Sequence, residues 1–88
     1  MCNICFDVDG CLLKDGKPIE ANVELLKVLC KSHKVYVWSG NGFLYAMGWV
    51  DKLGLNEISG VFDKYNTFKP DIAFDDKEIE LGKLNIVL

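Results

Sequence analysis

The sequence predicts an α/β fold, a Rossmann-like parallel sheet sandwiched by helices. Short apolar runs, typical of strands buried in a parallel sheet, alternate with segments of helical periodicity. Glycine, proline and polar residues separate these segments. The 88 residues, 50% of them hydrophobic, suffice for one compact domain, so we expect residues 1–88 to form a single domain.

The first elements are a strand, a tight hairpin and a helix. Residues 3–8 are almost continuously apolar and predict the first strand. Asp15 and Gly16 form a dipeptide that favours a two-residue hairpin turn. A helix is predicted over about residues 20–31, and its buried stripe comprises Leu25, Leu26 and Leu29.

The next elements form a strand, a glycine-containing loop and a second helix. Residues 34–38 predict the second strand, and residues 39–42 predict the loop that follows it. The second helix should occupy about residues 43–53 and end at Gly54.

The last third of the chain contains the shortest predicted elements. Residues 61–62 predict a weak third strand, residues 71–75 a fourth and residues 85–88 a last one. A single helical turn is expected at about residues 78–82. Strands therefore alternate with helices or turns throughout, as in a parallel sheet.

Charge and hydropathy restrict the partners of the chain. Thirteen acidic and ten basic side chains give a net charge of -3, and the lysines form no cluster in the sequence. Both observations argue against nucleic acid as an obligatory partner. No apolar stretch approaches the roughly 20 residues of a membrane span, and aspartates interrupt the N-terminal segment where a secretory signal would be apolar. We expect a soluble, cytoplasmic protein with no membrane partner.

The four cysteines are expected to be reduced thiols. Cys2, Cys5 and Cys11 crowd the first segment, and Cys30 is the remaining one. Side chains three residues apart on a strand point to opposite faces, so Cys2 and Cys5 cannot chelate a metal together.

Acidic and hydroxyl side chains stand where the predicted strands end. Asp7 and Asp9 end the first strand, Ser39 ends the second, and Asp75 and Asp76 end the fourth. Right-handed crossovers bring the carboxyl ends of parallel strands to one edge of a sheet. We therefore expect these side chains to converge on a common site.

Such a site suits a divalent cation and a phosphoryl group. Clustered carboxylates repel one another unless a cation lies among them, and oxygen-only ligands favour Mg²⁺. Lys69 adds a positive charge and Ser39 a hydroxyl, while Gly40, Asn41 and Gly42 offer backbone N–H groups ahead of a helix. These groups are the kind that stabilise phosphoryl transfer.

The nucleophile is expected among the carboxylates. His33 is the single histidine, so no Cys-His or Ser-His couple is predicted. Of two aspartates separated by one residue at a strand end, one can attack and the other can shuttle protons.

At these residues the chain resembles the haloacid dehalogenase (HAD) superfamily. The apolar strand and the Asp7-Val-Asp9-Gly10 segment are similar to the first family motif, and Ser39 to the second. Lys69-Pro70 is similar to the third motif and Asp75-Asp76 to the fourth. All four occur in family order and span nearly the whole chain.

The resemblance implies a magnesium-dependent phosphatase that forms an aspartyl-phosphate. It assigns Asp7 as the nucleophile and Asp9 as the general acid and base. Mg²⁺ would be held by Asp7, the Asp9 backbone carbonyl and Asp75, with Asp76 as an outer or water-mediated ligand. The phosphoryl oxygens of the substrate would be held by Ser39 and Lys69.

The resemblance also implies a minimal, capless member of the superfamily. Residues 11–18 correspond to the mobile flap, and no segment is long enough for the usual cap domain. The substrate would be a phosphorylated small molecule or macromolecule. The alternatives are a phosphate-binding or phospho-aspartate signalling module without turnover, and a polynucleotide end phosphatase.

The second predicted helix carries an outward apolar patch. Leu44 and Tyr45 lie opposite its predicted core face, and Trp49 lies at the edge of that face. Such patches mark contact surfaces, so a homo-oligomer is expected.

Overall fold

The protein is an α/β domain in which a five-stranded parallel sheet is flanked by two helices. The computed structural model describes residues 1–65 and 68–88. The strand order is β5-β4-β1-β6-β7, and β2 and β3 form a separate hairpin. The elements are β1 (Asn3–Asp7), β2 (Leu13–Lys14), β3 (Lys17–Pro18), α1 (Glu20–Leu29), β4 (Lys34–Ser39), α2 (Phe43–Leu53), β5 (Gly60–Asp63), β6 (Ile72–Asp75) and β7 (Leu84–Val87).

Strand β1 is the centre of the sheet. It pairs in parallel with β4 on one side and with β6 on the other, so that Ile4 lies beside both Val35 and Ile72. Residues Ile4 to Asp7 are all buried, which explains why this strand is apolar from Ile4 to Phe6. The five strands predicted for this sheet are confirmed, with shifts of at most one residue at their ends.

The predicted hairpin is confirmed. Strands β2 and β3 are antiparallel and are joined by Asp15 and Gly16, whose φ angles are 53° and 74°. Both central residues of a type I′ turn need positive φ, which aspartate tolerates and glycine adopts freely.

The helices begin and end close to the predicted residues. Helix α2 ends at Gly54, which has φ 66° and ψ 36° and accommodates the left-handed cap. The buried residues of α1 are Val23 and Leu26, whereas Leu25 and Leu29 are half-buried. The buried face of α1 is therefore rotated by part of a turn from the predicted stripe, and Leu26 belongs to both the predicted and the observed face.

Both helices pack on the same face of the sheet, which corrects the predicted sandwich. The chain moves from β1 to β4 to β5 in one direction, and right-handed crossovers then place α1 and α2 on one side. One cluster joins their buried residues to the sheet: Ile4, Phe6, Val23, Leu26, Val35, Val37, Ala46, Val50 and Phe74.

The opposite face is covered by connecting segments. Cys5, Trp38 and Ala73 are buried there against residues that include Phe68, Ile79 and Leu81. The connections from β5 to β6 and from β6 to β7 have eight residues each, fewer than a helix of ordinary length needs.

The helical turn predicted at residues 78–82 is wrong. These residues form bends and irregular backbone. The Asn85 side chain explains the difference, because its Oδ1 accepts the Gly82 N–H at 2.8 Å and its Nδ2 donates to the Gly82 carbonyl at 2.9 Å. Both backbone groups of Gly82 are thus engaged outside a helix.

No helix within the described part of the chain has the length and apolar character required to cross a bilayer.

Candidate functional site

Buried polar side chains mark one edge of the sheet. Asp7, Ser39 and Asp75 end β1, β4 and β6, and these three strands are adjacent. Their exposed fractions are 5%, 2% and 0%, and they are the buried polar or charged residues among those described. Burying two carboxylates is costly unless cations or hydrogen bonds compensate, so this edge is the candidate functional site.

Three carboxylates converge there. One oxygen from each of Asp7, Asp75 and Asp76 lies within 4.8 Å of the others. Gly10 allows this approach, because a Cβ at that position would overlap the Asp76 carboxylate. Gly10 also has φ +83°, which disfavours any other residue. The glycine is thus required both by the backbone turn and by the acidic cluster.

Lys64 supplies the positive charge within this cluster. Its Nζ lies 2.6 Å from Asp75 Oδ2 and 3.5 Å from Asp7 Oδ1, and the Lys64 side chain is 11% exposed. Burial opposes the lysine charge, but the hydrogen bond to Asp75 and the charge of Asp7 outweigh it and raise the pKa of Lys64. The ammonium group is therefore a fixed cation at the site.

The three carboxyl groups titrate differently. Burial, followed by repulsion from Asp75, raises the pKa of Asp7 to about 6, although Lys64 opposes this change. Burial also tends to raise the pKa of Asp75. Hydrogen bonds from Lys64, Asp76 and the Lys77 backbone outweigh burial, so the pKa of Asp75 is lowered. The pKa of Asp76 is raised, chiefly by its hydrogen bond to Asp75.

Asp9 lies at the exposed side of the same site and is held by two donors. Asn41 Nδ2 donates to Asp9 Oδ2 at 3.0 Å, and the Tyr45 hydroxyl donates to Asp9 Oδ1 at 2.7 Å. The hydrogen bond to Asp9 is the main reason why the pKa of Tyr45 is raised. Each oxygen of the Asp9 carboxylate thus has a neutral donor.

The loop after β4 is ordered by its own side chains. Ser39 Oγ accepts the Asn41 N–H at 3.0 Å, and the Ser39 carbonyl accepts the Gly42 N–H at 3.1 Å. The Phe43 N–H donates to Asp63 Oδ1 at 2.7 Å, so a residue at the end of β5 caps α2. The predicted phosphate loop therefore already uses the Asn41 and Gly42 N–H groups internally.

These side chains line an open cleft of about 360 Å³. The predicted residues Asp7, Asp9, Ser39, Gly40, Asn41 and Asp76 line it together with Gly10, Lys64, Tyr65, Lys77 and Ile79. Asp75 is fully buried next to the cleft, and one of its carboxylate oxygens lies within 4.8 Å of oxygens of Asp7 and Asp76.

Lys69 does not join the site, and this corrects the sequence prediction. It is exposed and precedes β6, whose amino end lies at the edge of the sheet opposite the carboxylates. Lys64 takes the expected place, because it follows β5 directly and Asp63 of β5 lies beside Ser39. The rule used for the aspartates could have identified Lys64, since it lies two residues after the strand predicted at residues 61–62.

Comparisons with protein-family models, curated proteins and solved structures found no match to this chain.

Proposed function

We propose that this protein is a magnesium-dependent phosphomonoester hydrolase that acts through an aspartyl-phosphate on Asp7. In this proposal the chain is a minimal, capless HAD-like domain with a Rossmann-like sheet. The observation that carries the proposal is the convergence of the Asp7, Asp75 and Asp76 carboxylates with the Lys64 ammonium at the carboxyl edge of the sheet. A phosphoryl site needs this combination of cation ligands, nucleophile and fixed positive charge.

The donor set fits a divalent cation. Asp75 is fully buried, and the charge of its Oδ2 is compensated by the Lys64 ammonium 2.6 Å away. All candidate ligands are oxygens, which favours Mg²⁺ over softer metals. Asp7 and Asp75 would hold the ion, with the Asp9 backbone carbonyl and Asp76 completing the set that the family resemblance implies. Bound Mg²⁺ would neutralise carboxylate charge and stabilise charge on the phosphoryl oxygens.

Asp7 is the proposed nucleophile. It ends the central strand, faces the cleft and is buried beside Lys64, so its carboxylate has one defined position. In the first step a carboxylate oxygen of Asp7 attacks phosphorus and the bond to the leaving oxygen breaks. Asp9 gives a proton to that leaving oxygen. The products are the free alcohol and the aspartyl-phosphate.

The second step regenerates the enzyme. Asp9, now a carboxylate, takes a proton from water, and the resulting hydroxide oxygen attacks the phosphorus of the aspartyl-phosphate. Phosphate leaves and the Asp7 carboxylate is restored. The exposed position of Asp9 within the cleft suits this role, because it can reach both the leaving group and water.

Phosphoryl oxygens would be bound by Ser39, the Gly40 backbone and Lys64. Ser39 is buried at the cleft, and its hydroxyl hydrogen remains able to donate while its oxygen accepts the Asn41 N–H. Lys64 replaces Lys69 in the proposed mechanism because its ammonium already contacts Asp7.

We also propose a homo-oligomer, whose apolar contact surface on α2 is smaller than the one predicted from the sequence. Leu44 is 81% exposed and Phe43 is 43% exposed on the first turn of α2. Tyr45, by contrast, directs its hydroxyl to Asp9. The outward apolar patch therefore consists of Phe43 and Leu44 next to the cleft.

The test of the proposed function is hydrolysis of an aryl phosphate with and without Mg²⁺. We expect turnover that is lost in excess chelator, restored by Mg²⁺ and abolished in Asp7→Asn. Asp51→Asn is the matched control, because Asp51 is an exposed aspartate on α2. Full turnover in chelator, or an Asp7→Asn variant as active as Asp51→Asn, would contradict the proposal.

A further inference from the structure

We propose that Tyr45 is a positioning residue that fixes the Asp9 carboxylate for proton transfer. The inference rests on the proposed function, in which Asp9 is the general acid and base. The observation behind it is the 2.7 Å hydrogen bond from the Tyr45 hydroxyl to Asp9 Oδ1, which connects residues 36 positions apart.

Asp9 is held from one side by the segment that begins α2. Asn41 and Tyr45 are four residues apart, and their side chains meet the two oxygens of the same carboxylate at 3.0 and 2.7 Å. Trp49 lies one further turn along the helix from Tyr45. Because α2 starts directly after the Ser39 loop, residues 39–45 contain both the proposed phosphate-binding serine and the two donors to Asp9.

A hydroxyl is well suited to a carboxyl group that changes protonation during turnover. The Tyr45 hydroxyl can donate a hydrogen bond to ionised Asp9 and can rotate to accept a hydrogen bond from neutral Asp9. Each carboxylate oxygen keeps a second lone pair, so the contact with Tyr45 leaves room for proton exchange with substrate. The hydrogen bond therefore restrains Asp9 in both halves of the catalytic cycle and leaves a lone pair on each carboxylate oxygen free for proton transfer.

Solvent exposure sets the expected size of the effect. Tyr45 is 36% exposed, so the hydrogen bond competes with water and should be worth less than a buried bond to a charge. We expect Tyr45→Phe to slow the acid-dependent step about fivefold to tenfold, while Asp9→Asn should slow it by about 10²-fold or more.

The experiment compares two substrates with different leaving groups. An alkyl phosphate needs a proton on its leaving oxygen, whereas a nitrophenyl phosphate leaves well without one. Tyr45→Phe should therefore lower kcat/KM about fivefold to tenfold for the alkyl phosphate and about twofold or less for the nitrophenyl phosphate. Tyr36→Phe is the matched control, because Tyr36 packs with Phe62 and Phe68 on the other face of the sheet.

A second measurement is independent of turnover. The ¹³Cγ resonance of Asp9 in the metal-free protein near neutral pH should move in Tyr45→Phe and remain in place in Tyr36→Phe. An unmoved resonance, or an equal loss of activity on both substrates, would overturn the role of Tyr45. If the resonance moves but the wild-type protein hydrolyses neither substrate with Mg²⁺, then the proposed function and the catalytic role of Tyr45 fail together, and only the hydrogen bond stands.

Discussion

Replacing Asp7 with asparagine should stabilise the metal-free protein near neutral pH. Burial and repulsion from Asp75 raise the pKa of Asp7 from 3.8 to about 6. The folded state therefore binds a proton on Asp7 more tightly than the unfolded state does. The free energy of unfolding should fall as pH rises from about 4 to about 6, and the full penalty should be present above that range.

The size of this penalty follows from the pKa difference. A change of two units corresponds to about 2.7 kcal/mol if the site were fully shielded. The effect of Lys64 is already contained in this pKa, but Asp7 lines an open cleft, so solvent screening reduces the value to about 1–2 kcal/mol. For a domain of this length each kcal/mol shifts the melting temperature by about 4–8 °C.

Chemical denaturation of the wild type, Asp7→Asn and Asp51→Asn in excess chelator measures the effect. Asp7→Asn should be more stable than the wild type near neutral pH, and its advantage should shrink towards about pH 4, where folded Asp7 is protonated. Mg²⁺ should stabilise the wild type more than Asp7→Asn, because binding to the folded state adds free energy. An Asp7→Asn variant that is less stable in chelator at neutral pH would refute the electrostatic reasoning.

Three further predictions test the site and the surface beside it. Lys64→Met should lower turnover by about 10²-fold or more, whereas Lys69→Met should remain near the wild-type rate. Steady-state kinetics in which Lys69→Met is the slower variant would contradict the placement of Lys64 at the site. Gly10→Ala should weaken Mg²⁺ affinity measured by calorimetry, because its Cβ would displace Asp76, and unchanged affinity would argue against the compact cluster. Leu44→Gln should lower the mass in sedimentation if the protein is a homo-oligomer, and a wild-type monomer at every concentration would reject that proposal.

Much of the fold follows from sequence periodicity and turn chemistry. The continuous apolar run before Asp7 predicts a strand buried on both faces, and β1 is indeed the centre of the sheet. Asp15-Gly16 predicts its hairpin because both residues accept positive φ. Gly54 likewise predicts the end of α2. In each case a local conformational preference determines the result.

The layer arrangement could not be read from local patterns. Placement of the helices depends on strand order, and the sequence alone does not reveal that β6 returns to the far side of β1. The predicted turn at residues 78–82 failed for a similar reason, since the Asn85 side chain engages Gly82 from outside the segment. Both errors come from interactions between elements.

The candidate site shows the same division. Asp7, Ser39 and Asp75 were predicted to converge because parallel strands end at one edge, and they do. Lys69 was predicted to supply the positive charge from the loop that enters the fourth strand, whereas the structure brings Lys64 to the carboxylates. The hydrogen bond from Tyr45 to Asp9 depends on how α2 lies over the cleft, so helical periodicity treated Tyr45 as an outward residue.

Trapping the covalent intermediate tests the central claim most directly. Protein quenched in acid during turnover with Mg²⁺ is reduced with borohydride, which converts an aspartyl-phosphate to homoserine, and the peptides are then analysed by mass spectrometry. The proposed mechanism predicts homoserine at position 7, and none at position 9 or 75. Unmodified Asp7 in a protein trapped during rapid hydrolysis, or homoserine at another aspartate, would contradict it.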